Sequence, residues 1–300
     1  LHPVAHSFPT RRSSDLAVLE DVETPRPAPP IRFHPEAPVP PLAPSPPGTR
    51  RNPGAPRFSA PDDDHYRFRL PVTVYGEDLN SRGFVDASAY LRFMDRGRLE
   101  AIEAICEAAG QRSWLREYVV NVYRIETRCA TVAKLSDRLE VRTGLRKTSA
   151  YRAAFDQRVV EAATGEIVVD GVVEVAFLDQ QHRLVAVPEG LTEDDGEGPD
   201  LRLDRPRNVP FGGEDQLPYR TRFRVYYEDT DTQGITYHVA YVRFCERALF
   251  DLVRTLWPEM PTDAWMQRFR AGVASTDIRY LHSSTLGDRL EVLTGLLEVE

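Results

Sequence analysis

The sequence predicts an α+β protein in which one domain pattern, a long helix wrapped by an antiparallel sheet, occurs twice in tandem. Two observations predict it. First, 74–149 aligns with 225–300 at a constant offset of 151 without a gap, and 22 of the 76 positions are identical. The identities cluster at both ends of the window, in VYGEDLNSRGFVDASAYLRFMDR over VYYEDTDTQGITYHVAYVRFCER and in LSDRLEVRTGL over LGDRLEVLTGL. A period this long is domain duplication, since solenoid units run to roughly 20–50 residues. Second, each copy opens with an alternating segment, then a polar loop, then helical apolar spacing, then further strand-like segments.

The elements follow in order. YRFRLPVTVY at 66–75 alternates and suits a strand. A polar loop covers 76–83. Apolar residues at Ala89, Leu91, Phe93, Met94, Leu99, Ile102 and Ile105 give a helix from Asp86 to about Ala109, stopped by Gly110. Strands are expected over 119–129, 138–145, 151–160 and 166–178, the last two joined by the EAATG turn. One helix followed by an antiparallel meander is α+β, and the arrangement is that of the hotdog fold. The second copy, 219–300, has the strand, loop, helix and the next two strands; the chain stops inside the third, so this copy is expected to be truncated and its sheet edge prone to association.

Outside the repeats the reading is compositional. The segment HSFPTRRSSDL at 6–16 resembles a translated short-read sequencing adapter, so 1–16 is excluded from the fold. Sixteen of the 24 prolines fall in the first 61 residues, and 17–64 is expected to be disordered. The stretch 65–188 is the first domain, and the acidic, glycine-bearing 189–218 is a solvated linker. A net charge of −8 argues against a nucleic-acid partner. No apolar run reaches the ~18 residues of a membrane span, and no secretory signal is visible. Three cysteines without a CxxC pair suit free thiols in a reducing compartment, so a cytoplasmic location is expected.

The chemistry is concentrated at 226–241, YYEDTDTQGITYHVAY, continued by Phe244, Glu246 and Arg247. An acidic loop runs into a helix beginning near His238 or Val239, with Gly234 permitting the tight turn. Free N–H groups at a helix start carry the positive end of the dipole. They suit a developing oxyanion, and a loop carboxylate can act as base or nucleophile. Asp231 as a simple turn or helix cap is the duller alternative. His238 as a metal ligand finds no HxH or HExxH support, so no metal or other cofactor is expected. Arg220, Arg222 and Arg224 share one strand face, read as solvated.

The segment resembles the Y-x-D-T-D-x-x-G-x-x-Y-H-x-x-Y pattern of the 4-hydroxybenzoyl-CoA thioesterase family, and within it the Tol–Pal-associated acyl-CoA thioesterases. The resemblance covers 219–300 closely and 66–187 more loosely. It implies hydrolysis of an acyl-CoA or acyl-carrier-protein thioester. Asp231 stands at the family's catalytic carboxylate and the backbone N–H of His238 at its oxyanion donor. Gly234, Tyr237 and Tyr241 of the motif, and Asn80 in the first half, are candidate substrate-binding positions, although Tyr241 and Phe244 equally suit helix core. Asp229 is read as fixing the loop, because Asp78 repeats it. Glu246–Arg247 and their matches Asp95–Arg96 are read as structural polar contacts of the helices.

The first half departs from the pattern: Asn80 replaces the carboxylate and Ala87 the histidine. It therefore reads as a degenerate half that serves as built-in partner for the second, by intramolecular pairing, with a homo-oligomer also compatible. The alternative function is a non-catalytic acyl-thioester-binding or scaffold protein. A hydratase would carry a D-x-N-P-x-H motif, which the sequence lacks.

Overall fold

Each half opens with a strand and a long helix and continues in strands, as the repeat requires. A computed structural model describes residues 65–110, 113–188, 219–259 and 273–295. The expectations for 1–64 and for the linker 189–218 fall outside these residues. Strand β1 is Phe68–Thr73, helix α1 Ala87–Ala108 and the short helix α2 Trp114–Glu117; then come β2 Val119–Cys129, β3 Arg138–Ser149, β4 Arg152–Glu161 and β5 Ile167–Leu178. The second half supplies β6 Tyr219–Arg224, α3 His238–Leu256, β7 Ser275–Arg279 and β8 Arg289–Thr294.

In the first half the sheet wraps the helix as expected. Its antiparallel order is β1-β3-β4-β5-β2, and β7 from the second half adds to the β2 edge. That addition was not legible in the sequence. It pairs Arg124 with Arg279 through Arg128 with Ser275. Strands β6 and β8 pair separately. Helix α1 buries Phe93 and Met94 together with Ile125, Phe155 and Phe177 of the sheet. Each such side chain contributes about 1.5–3 kcal/mol on burial. Gly97 sets the approach of helix to sheet. A Cβ there would lie 2.7 Å from Val141 Cγ1, so β3 has no room for a side chain on α1.

The repeat recurs in three-dimensional detail. Tyr75 N–H donates to Asp78 Oδ2 at 3.1 Å, as Tyr226 N–H does to Asp229 Oδ2. Arg92 reaches Asp78, and Arg243 reaches Asp229. The Tyr90 hydroxyl accepts the Ala133 N–H, and the Tyr241 hydroxyl the Ser284 N–H. Each of these residues stands 151 positions from its match.

The two helices also meet reciprocally. Asp95, on α1, binds the Tyr237 hydroxyl at the start of α3. Its match on α3, Glu246, lies within reach of the Ala87 N–H at the start of α1.

Candidate active site

A loop of the same geometry leads into each helix, and the two differ in what they present at its end. In the second half Asp231 N–H donates to the Ile235 carbonyl at 2.9 Å and Gly234 N–H to the Asp231 carbonyl at 3.0 Å. Asn80, Gly83 and Phe84 repeat both bonds in the first half. The turn needs positive φ, 76° at Gly234 and 75° at Gly83, a region that favours glycine. Gly234 thus builds the loop, and it is not among the cleft-lining residues. Asp231 Oδ1 accepts the Gln233 N–H at 2.8 Å, just as Asn80 Oδ1 accepts the Arg82 N–H at 2.9 Å. The loop-fixing role is therefore real at both positions, and it leaves the carboxylate as the chemical difference between them.

The helix starts differ more. Asp86 caps α1: its Oδ1 accepts the Ala89 N–H at 2.6 Å and the Ser88 hydroxyl at 2.7 Å. The matching residue of α3 is Tyr237, which makes no side-chain cap. The first N–H groups of a helix have no intrahelical acceptor. At α1 one of them is taken up by Asp86; at α3 no side chain of the preceding residue closes them.

Asp231, Tyr237 and His238 line a cleft of about 610 Å³ together with Tyr241, Tyr280 and residues of the first half. The second half gives this cleft a largely polar wall. The first half gives Asp95 and Arg98 and an apolar wall that includes Leu99, Ile102, Tyr118, Phe155 and Val175. Asn80 is not part of the lining. Tyr241 faces the cleft, but its hydroxyl is engaged by Ser284.

Asp95 is the main correction to the sequence reading. It does not merely tie its own helix together. It accepts from Tyr237 Oη at 2.7 Å and from Arg98 Nη2 at 2.6 Å, and lies 3.9 Å from His238 Nε2. Arg98 was not singled out at all. Its match in the repeat is Leu249, so the alignment gave no polar signal there.

Burial sets the ionisation of the site. It raises Asp231 above the usual aspartate range, against the N–H bonds of Gln233 and Ile235 that favour the anion, and the Asp95 charge adds to the rise. Burial would raise Asp95 too, but the Arg98 guanidinium and the Tyr237 hydroxyl hold it below the usual range. Burial pushes His238 down to about 4, with Asp95 opposing and Arg98 assisting. His238 is thus neutral at pH 7. Its backbone carbonyl accepts the Tyr280 hydroxyl at 3.0 Å.

Known proteins share this architecture. Solved structures with a similar chain path include the 12:0-ACP thioesterase from Umbellularia californica, with TM-score 0.59 and 14% identity, covering 77% of this chain and 88% of that one. An acyl-ACP thioesterase from Bacteroides thetaiotaomicron gives TM-score 0.54 and 12% identity, over 76% of this chain and 86% of that one. The fold is a hotdog fold. At such identities the likeness carries the fold alone. A model of the thioesterase-like superfamily matches residues 74–194. The acyl-CoA thioesterase YbgC of Haemophilus influenzae is 40% identical over 77 residues, which is 26% of this chain and 57% of that protein. The acyl-CoA thioester hydrolase YbgC of Escherichia coli O157:H7 is 38% identical over 79 residues, 26% of this chain and 58% of that protein. The chain thus spans less than two thirds of the length of the curated relatives it matches.

Proposed function

We propose that this protein hydrolyses an acyl thioester, acyl-CoA or acyl-carrier protein, at the cleft formed by the Asp231 loop and the start of α3. The observation that carries the reading is the asymmetry of the two helix starts: α1 is capped by Asp86, whereas α3 has no side-chain cap from Tyr237 and opens on the cleft that Asp231 also lines. The thioester oxygen is placed against the N–H of His238, where negative charge developing in the tetrahedral intermediate is stabilised. Asp231 takes a proton from water, hydroxide attacks the carbonyl carbon, the C–S bond breaks, and the thiolate leaves with that proton. Direct attack by Asp231, giving a mixed anhydride that water then cleaves, uses the same geometry. The raised basicity of Asp231 favours the first route. The apolar wall from α1, β2, β4 and β5 receives the acyl group. The relatives' activities, acyl-CoA thioesterase among them, agree with this assignment.

The two halves, 65–188 and 219–300, are read here as a tandem pair of hotdog units that meet through their helices. The first unit is the acyl-binding partner and the second carries the reacting groups. Release of free thiol from a series of acyl-CoAs, with and without Asp231→Ala, tests the function. Turnover that disappears in the variant supports it. Binding of acyl-CoA by the wild-type chain without any thiol release refutes it in favour of a non-catalytic acyl-thioester-binding protein.

A further inference from the structure

Arg98 is a buried cation with 4% of its surface exposed, on a helix whose neighbours at that depth are apolar. Desolvating a guanidinium is costly unless its donors are matched. Here they are matched three ways. Nη1 donates to Gln157 Oε1 at 2.9 Å, Nη2 to Asp95 Oδ1 at 2.6 Å, and Nη2 lies 3.3 Å from His238 Nε2. Gln157 is itself fixed, donating to the Met94 carbonyl at 2.7 Å and to Thr143 Oγ1 at 3.1 Å. The fold does not demand this cation, because the matching position of α3 is Leu249.

We propose that Arg98 is a positioning residue of the site: from the first half it fixes His238 directly and Tyr237 through Asp95, so that the start of α3 is held in register for the thioester oxygen. The proposal rests on the thioesterase reading for its kinetic consequence, but not for the contact itself. An arginine N–H can only donate, so His238 Nε2 must accept and the ring proton must sit on Nδ1. The other polar groups around the ring are Asp95 on α1, Tyr237 just before α3, Tyr280 after β7, and, lining the same cleft, Asp231 and His282. Of these, the Asp95 carboxylate favours a charged ring and Arg98 opposes one. Tyr237 and His238 are adjacent, so one cluster around the buried Arg98 holds both residues from which the helix starts.

The test uses the full chain and two variants. Arg98→Leu installs the residue that the other half carries; Arg98→Lys keeps the charge and loses the fork. His238 is followed by NMR titration, its signal assigned with His238→Asn, and turnover by thiol release. In the wild type the ring should titrate at about 4, because burial disfavours its charged form. In Arg98→Leu it should titrate higher, because burial still lowers it but Arg98 no longer adds to burial against Asp95. The kcat should fall about 10²-fold with KM little changed, the signature of lost alignment rather than lost binding. Arg98→Lys should keep the ring neutral near pH 7 yet still lower kcat, by about 10-fold. An unchanged His238 titration in Arg98→Leu overturns the proposal, as does wild-type kcat in Arg98→Lys. If Arg98→Leu does not fold, Arg98→Lys decides on its own. Absence of turnover in the wild type refutes the proposed function instead, and the titration still tells whether Arg98 holds the ring.

Discussion

Two half-buried groups at the junction of the helices should oppose each other in the pH dependence of stability, and single substitutions should separate them. Burial raises Glu246 from 4.5 to about 7, with Asp86 adding to the rise and the Ala87 N–H and the cations Arg92 and Arg243 opposing it. An acid with a raised folded-state pKa stabilises fully below its unfolded value, and that contribution is lost as pH rises through about 7. His238 is lowered from 6.5 to about 4, so its contribution is full above 6.5 and lost as pH falls through about 4. At 1.36 kcal/mol per pH unit each displacement is worth up to about 3 kcal/mol. Between pH 4.5 and 6.5 the two slopes have opposite signs and nearly cancel. Glu246→Gln removes one slope. Its unfolding free energy by urea titration, taken relative to wild type, should therefore rise by about 3 kcal/mol from pH 4.5 to 7. His238→Asn, relative to wild type, should fall by a similar amount over pH 4 to 6.5. Difference curves that are flat for both variants would refute the burial assigned to these groups.

Two further substitutions follow from the same contacts. Asp86→Ala removes the cap of α1 and should lower stability by about 1 kcal/mol, seen as a reduced Tm, while thiol release stays at the wild-type rate because Asp86 serves the closed helix start. Leu99→Trp fills part of the apolar wall; it should reduce kcat/KM for long acyl-CoAs about 10-fold more than for short ones, and an equal effect at all lengths would remove Leu99 from the acyl path.

Much of the architecture was written in local patterns. The offset of 151 carried the loop, the glycine turn and the helix start from one half to the other, and α3 does begin at His238. Apolar spacing located α1 between its cap Asp86 and Gly110, and β2 falls on 119–129 as read. What failed to show was the meeting of the halves. Periodicity tells which face of an element is apolar, but not which distant element covers it. The pairing of β7 with β2 joins segments about 150 residues apart and has no local signal. Asp95 was visible as the match of Glu246, yet its reach to Tyr237 depends on how α1 and α3 pack. Arg98 was hidden for a different reason: a buried cation inside an apolar helical stripe reads as an ordinary surface arginine until its partners are known. The short α2 went unread because four residues give no periodicity.

On the proposed mechanism Asp231 supplies the chemistry, while Asn80 shares its loop geometry and lacks the carboxylate. Asp231→Asn tests it most directly, because Asn80 shows that asparagine makes the same turn bond to the N–H two residues on. Steady-state hydrolysis and equilibrium binding of one acyl-CoA are measured on the wild type and the variant. Binding should be unchanged and kcat lower by roughly 10²–10⁴-fold, the loss expected for a general base. Wild-type kcat in Asp231→Asn, with binding intact, would contradict it.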